Sequence, residues 1–180
     1  MAETFELPTL QGERVTLRPP RAGELGTFAE AIAADPQTSA WWSKSAATVD
    51  EWFGEPDYYV LVVEQNGATL GIVAFGEVST TGYQSAHIDI ALLSGGEGKG
   101  LGTETMRLLT DWLFTERGHH RITIDPAASN ARAIHVYEKV GFKPIGVARD
   151  YECDSDGKWH DNLLMDMLES DFRAAMVDPG

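Results

Sequence analysis

Glu97-Gly98-Lys99-Gly100-Leu101-Gly102 is the stretch on which the reading of this chain turns. Before it runs His87-Ile88-Asp89-Ile90-Ala91-Leu92-Leu93, which has the composition of a strand. After it, Leu101, Leu108, Leu109, Trp112 and Leu113 fall near one face of an amphipathic helix. Glycines at a strand-to-helix junction let the backbone approach a ligand closely, and the first helical turn presents N–H groups and a positive dipole end. The junction therefore suits a phosphate or pyrophosphate, and Lys99 adds a mobile positive charge. The spacing excludes the two commonest phosphate loops. A dinucleotide fingerprint needs a third Gly at 103, where this chain has Thr, and a nucleoside-triphosphate loop needs Gly-Lys followed by Ser or Thr, whereas Lys99 precedes Gly100.

Working outward, Arg14-Val15-Thr16-Leu17-Arg18 alternates and stops at Pro19-Pro20, as a first strand does. Leu25, Phe28, Ala29 and Ile32 have helical spacing, and Asp35-Pro36 ends that helix. A loop with a short helix, Thr38 to Phe53, carries Trp41, Trp42, Trp52 and Phe53. Two strand-like runs, Tyr58 to Gln65 and Ala68 to Glu77, are joined by Asn66-Gly67, a strong hairpin signal. The fourth strand then leads into the glycine loop and a helix reaching about Arg117, with Gly118 suited to its end. Arg121 to Asp125 is a fifth strand, and a helix from about Asn130 to Val140 follows, capped by Ser129 or Asn130 and closed by Gly141. Lys143 to Cys153 is extended, Asp154-Ser155-Asp156-Gly157 is a turn, and Trp159 to Leu168 is a last strand before a short helix. No repeat or linker divides residues 1–180, so one domain is expected.

Composition bounds the function. At 43% apolar and 23% charged, the 180 residues suit a globular fold with a proper core. No run approaches the ~18 apolar residues of a membrane-spanning helix. Met1 to Thr9 lacks the basic and apolar regions of a secretory signal, and the single Cys153 allows no internal disulfide. These features point to the cytoplasm. A net charge of −14 argues against nucleic acid and favours cationic ligands, though an acidic surface also serves solubility alone.

Taken in order, the strand, glycine loop, helix, strand, Asn-capped helix and Tyr137-Glu138-Lys139-Val140-Gly141-Phe142 resemble the GCN5-related N-acetyltransferase (GNAT) superfamily. The family loop begins with Gln or Arg, and Glu97 departs from that. Leu17-Arg18-Pro19, the segment from Asp125 to Ile134 and the ending Asp156 to Asp161 are similar to the ribosomal-protein N-terminal acetyltransferases. The same middle segment, with Trp41-Trp42 and Asp89, is also similar to aminoglycoside 6′-N-acetyltransferases. The resemblance implies an α/β (α+β) fold: a mixed, mostly antiparallel sheet of about seven strands, helices on both faces, and a splay between the fourth and fifth strands. It implies acetyl-CoA as cofactor. The pyrophosphate would lie on amides from Gly98, Lys99, Gly100, Leu101, Gly102 and Thr103, and the pantetheine arm would bond to backbone at Ile90, Ala91 and Leu92. Asn130 matches a position that touches the arm.

The resemblance casts Tyr137 as the general acid that protonates the departing thiolate, although Tyr137 also fits the apolar stripe of Ala133, Ile134 and Val140 as a core residue. Asp89 stands between Ile88 and Ile90, near where the thioester would sit. A carboxylate there is costly if buried unpaired, and it could bind the acceptor ammonium and relay its proton through water. An unperturbed Asp, with a pKa of ~3.9, is a poor direct base for an amine, and the plain alternative is a solvated outward residue. His87 shares a face with Asp89 by the period of two and is a candidate base near neutral pH. Trp41, Trp42, Asp89 and Asp125 are the candidate acceptor-binding residues, with aromatics able to wall a pocket or stack on cations. His160 and Cys153 lack metal-ligand spacing, so no metal is expected.

Three functions follow. The first is acetyl transfer to a small cationic amine of the aminoglycoside or polyamine type, and the second is acetyl transfer to a protein N-terminus. The third is acyl-CoA binding without turnover, which the substitution Glu97 keeps open. A homodimer is left open; a nucleic-acid or membrane partner is not expected.

Overall fold

The computed structural model describes residues 6–39, 41, 57–94, 98–154 and 157–177. Among them the chain order is β1 (Leu10–Gln11), β2 (Thr16–Arg18), α1 (Glu24–Ala34), α2 (Pro36–Ser39), β3 (Tyr58–Gln65), β4 (Ala68–Val78), β5 (Ser85–Leu92), α3 (Leu101–Thr115), β6 (Arg121–Ile124), α4 (Ala131–Val140), β7 (Lys143–Cys153), β8 (Trp159–Leu168) and α5 (Glu169–Val177). The strands form one eight-stranded sheet in the order β1-β2-β3-β4-β5-β6-β8-β7. The extra strand beyond the expected seven is the two-residue β1, too short to carry an alternation pattern.

Local chemistry sets the joins. Asn66 and Gly67 have φ of 51° and 80°, the left-handed pair of a tight hairpin turn, and Gln65 pairs with Ala68 across it. Asp35 ends α1 in an extended conformation, and its carboxylate accepts from Gln37 N and Ser94 N, tying the start of α2 to the end of β5. Asn130 caps α4 by accepting from Ala133 N at 3.1 Å.

Apolar residues divide between the two faces of the sheet, as alternation requires. On one face Val15, Leu61, Val73, Phe75, Ile88 and Ile122 pack with Leu101, Met106, Leu109 and Leu113 of α3, Val140 of α4 and Phe172 of α5. On the other, Val60, Val62, Ile72, Ala74 and Ala91 pack with Phe28 and Ile32 of α1.

Most strand pairs are antiparallel. The exception is β5 with β6, which run parallel and pair only at Ala86↔Ile122 and His87↔Thr123. From Ile88 to Leu92, β5 continues with β4 alone beside it. The main chain therefore opens a gap between β5 and β6, the splay that the family resemblance implied.

Candidate functional site

The gap opens into a cavity of about 1150 Å³. Its walls come from β5, the glycine loop, the first turn of α3, the end of β6, α4, and the far end of β7. Backbone geometry accounts for one wall. Leu93 N donates to Leu70 O on β4, so the alternation of an antiparallel ladder turns Ala91 toward β4 as well and turns Ile90 and Leu92 toward the gap. There the Leu92 carbonyl accepts from Thr38 Oγ1 at 2.9 Å. Of the three residues expected to offer backbone groups, Ile90 and Leu92 face the opening and Ala91 is committed to the sheet.

The loop forms the next wall. Gly98 and Gly100 have φ of 72° and 74°, in the left-handed region that favours glycine. Gly100 is the N-cap of α3, and it has no side chain to compete with a ligand for the amides of the first turn. Gly98, Gly100, Leu101, Gly102 and Thr103 all border the cavity, as do Asn130, Arg132 and Lys139. Glu97 lies outside the described residues.

At the other end of the cavity stands a polar cluster. His87 Nε2 lies 3.5 Å from Asp89 Oδ2 and 3.3 Å from Asp125 Oδ1. His87 Nδ1 lies 3.2 Å from Thr123 Oγ1, which in turn donates to Ala86 O. With that hydroxyl proton committed to a carbonyl, Thr123 Oγ1 accepts from Nδ1–H, and the two carboxylates call for a proton on Nε2 as well. Both ring nitrogens are then donors and the ring is an imidazolium. The electrostatics agree: burial works against the charge, but hydrogen bonds donated to Asp125 and Asp89 outweigh it, and the His87 pKa is pushed up to about 10. This suits His87 to holding two carboxylates together rather than to taking a proton at neutral pH. His87, Asp89 and Asp125 also bring one ligand atom each within 4.8 Å of one another, a juxtaposition that sequence spacing did not foreshadow.

Tyr58 completes the cluster. Its hydroxyl donates to Asp89 Oδ2 at 2.9 Å. Across the sheet Tyr58, Gly76 and His87 form one row on neighbouring strands. Because Gly76 has no side chain, the tyrosine ring can cross it; a Cβ there would lie 3.3 Å from Tyr58 Cδ2. Burial, then the charge of Asp89 and its hydrogen bond, holds the Tyr58 phenol well above its usual range.

Tyr137 arrives from α4 on the opposite face and is 8% exposed, with its ring edge-on to Phe142 at 6.1 Å. The gap lets it share the cavity with the carboxylates. Burial first, then the charges of Asp89 and Asp125, raise its pKa far above the ordinary value, so the phenol keeps its proton. It is thus both a core residue, as the apolar stripe of α4 suggested, and a residue of the cavity wall.

Trp41 borders the cavity and is half exposed, while Trp42, Trp52 and Phe53 lie outside the described residues. Sequence reasoning missed Tyr58, Tyr151, Glu152 and Asn162, all of which border the same cavity. Asn162 is buried on β8 and donates through Nδ2 to Asp125 O at 2.9 Å, fixing the bend that presents the Asp125 carboxylate. No local pattern marks these residues, because β3, β7 and β8 meet β5 and β6 only through the sheet order.

A pH prediction follows from His87. The unfolded ring titrates near 6.5, whereas the folded one keeps its proton to about 10. Below 6.5 both states are protonated and the ion pairs stabilise in full. As pH rises from 6.5 toward 10, the unfolded chain gives up a proton that the folded chain retains, so stability falls. Tm measured across this window should decline more steeply for the wild type than for His87→Gln. Parallel curves would show that the cluster does not hold the proton.

The sequence profile of the acetyltransferase (GNAT) domain matches residues 14–143, and the chain belongs to that family, whose members move an acetyl group from acetyl-CoA to an amine. Among curated relatives, YjcK of Bacillus subtilis is 29% identical over 117 residues, 65% of this chain and 64% of the relative. Spermidine N(1)-acetyltransferase of Escherichia coli K12 is 28% identical over 66% of this chain and 63% of its own. The chain thus matches somewhat under two thirds of the length of these relatives. Aminoglycoside N(6′)-acetyltransferase type 1 of Klebsiella pneumoniae is 49% identical over 49 residues, 27% of this chain and 24% of its own. In fold, the chain is similar to Mycobacterium smegmatis RimJ in complex with CoA-disulfide, with a TM-score of 0.81 at 23% identity over 94% of this chain and 92% of that one. It is also similar to a Vibrio cholerae spermidine N-acetyltransferase in complex with CoA and spermine, with a TM-score of 0.74 at 23% identity over 89% of this chain and 98% of that one. No described helix is long and apolar enough to cross a membrane.

Proposed function

We propose that this protein transfers the acetyl group of acetyl-CoA directly to a primary amine of a small polycation, of the polyamine or aminoglycoside type. The observation that carries this reading is the polarity of one cavity. Its loop end offers amides of the α3 N-terminus with Arg132 and Lys139, a setting for an anion. At its other end Asp89 and Asp125 flank His87, and Glu152 also lines the cavity, a setting for positive charge. A single imidazolium leaves carboxylate charge unbalanced there, which fits an acceptor with more than one ammonium group. The relatives that act on spermidine and on aminoglycosides support the same class of acceptor.

Acetyl-CoA, when bound, supplies a thioester carbonyl and a thiolate leaving group. The residues supply the rest. Asp89 and Asp125 hold the incoming ammonium at the mouth of the gap, and Asp89 relays its proton through water. Tyr58 and His87 fix the Asp89 carboxylate in place. Ile90 N–H faces the arm of the donor, and Tyr137 gives its proton to the departing sulfur. A thiol-release assay with spermidine, kanamycin and N-terminal peptides tests this. Polycations should be turned over with kcat/KM at least about tenfold above the peptides. Turnover of peptides alone would favour the protein N-terminus as acceptor, and CoA binding without turnover would leave a binding module; either result overturns the proposal.

A further inference from the structure

Arg14 lies in the turn between β1 and β2, yet its side chain ends on the cofactor loop. Nη1 donates to Lys99 O at 2.5 Å. Nε donates to Glu104 Oε2 at 2.7 Å, and the Arg14 main-chain N–H donates to Glu104 Oε1 at 2.6 Å. The same Oε1 accepts from Val15 N at 3.2 Å. Glu104 is held by these contacts below its ordinary pKa, against the opposing effect of burial.

Two consequences bear on anion binding. In a planar trans peptide the carbonyl and the following N–H point in opposite directions. Holding Lys99 O toward Arg14 therefore turns Gly100 N–H away from it. Arg14 borders a side groove of about 550 Å³, whereas Gly100 borders both that groove and the main cavity. The amide is thus aimed out of the groove and into the cavity. The second consequence concerns charge. Glu104 sits in the first turn of α3, where a carboxylate complements the helix dipole but repels an anion bound at the same end. The guanidinium pairs with that carboxylate and neutralises it. The fit is close: a Cβ added at Gly100 would lie 3.4 Å from Arg14 Nη2.

We propose that Arg14 is a positioning residue for the acetyl donor, aiming the Gly100 amide at the pyrophosphate and masking Glu104 so that the α3 N-terminus accepts an anion. This inference concerns the donor end alone, and its test uses no acceptor, so it stands or falls separately from the choice of amine. The probes are CoA and pantetheine, which carries the thiol arm without the pyrophosphate. Their Kd values are measured by ligand-detected NMR for the wild type, Arg14→Ala, Arg14→Lys, Glu104→Gln and the double variant Arg14→Ala/Glu104→Gln. Arg14→Ala should raise the Kd for CoA at least about tenfold while the Kd for pantetheine stays within about twofold. Loss of folded protein weakens both ligands alike, so the ratio of the two Kd values isolates the 3′-phospho-ADP portion, which carries the pyrophosphate. Arg14→Lys keeps the charge and loses the fork, and should fall between wild type and Arg14→Ala in that ratio; it also serves if Arg14→Ala fails to fold. The double variant should bind CoA better than Arg14→Ala alone, because no bare carboxylate remains. Equal weakening of both ligands, an unchanged CoA Kd, or a double variant no better than Arg14→Ala overturns the proposal.

Discussion

Replacing Tyr137 by Phe should lower kcat by about 100-fold or more with KM for both substrates nearly unchanged. The change removes one oxygen and leaves the ring. That ring packs edge-on to Phe142 among the buried residues of the helix-covered face, so the fold should tolerate Phe. What is lost is the proton. Burial and the nearby charges of Asp89 and Asp125 hold the phenol in its neutral form across the working pH range, so it always has a proton to give. Steady-state kinetics with a melting curve decide the matter. A kcat within about threefold of wild type, or a fall in kcat that tracks a fall in Tm, would leave Tyr137 as a core residue only.

Asp89→Asn should reduce kcat/KM for a polycationic amine by about 1.5–3 kcal/mol, the range of a hydrogen bond to a charged group. The amide keeps the shape of the carboxylate, and its oxygen can still accept from Tyr58. The negative charge is gone, and with it the strongest attraction for an ammonium in that part of the cavity. Asp125 remains and keeps His87 charged from its other side, so the fold of the cluster should persist. CoA affinity should change by less than about twofold, because Asp89 stands at the opposite end of the cavity from the loop. The loss should shrink as salt rises to the extent that long-range steering contributes. Kinetic constants unchanged within error would mean that Asp89 serves only the His87 pair, and the acidic end of the cavity would lose its assigned role.

Particular residues show where sequence reading reached and where it stopped. The glycine loop was legible because Gly98 and Gly100 do a local job: positive φ and a bare helix start depend only on the residues themselves and their neighbours. The Asn66-Gly67 turn, the Asn130 cap and the alternation that puts His87 and Asp89 on one face were legible for the same reason. The order of these local signals carried the family resemblance, and the resemblance in turn implied the fold and the gap beside β5. Burial of Tyr137 was also within reach, since it lies on the stripe of α4.

Contacts across the sheet were another matter. Tyr58 reaches Asp89 only because its ring crosses Gly76, which lies between Tyr58 and His87 in register, and Asp125 meets His87 only because β6 returns parallel to β5 for two pairs. Asn162 and Glu152 join the cavity through β8 and β7, which follow in sequence but insert beyond β6 in space. The state of His87 illustrates the limit. From sequence it is a histidine that titrates near neutral pH; in the fold, two carboxylates brought from different strands keep it charged. Arg14 reaches Lys99 and Glu104 across some 85 to 90 residues of chain. Sequence by itself determined the elements, their order and the anion loop, because backbone propensity and periodicity act over a few residues. Tertiary structure alone decided which charges meet, because electrostatic pairing depends on distance in space, and strand register, not sequence spacing, sets that distance.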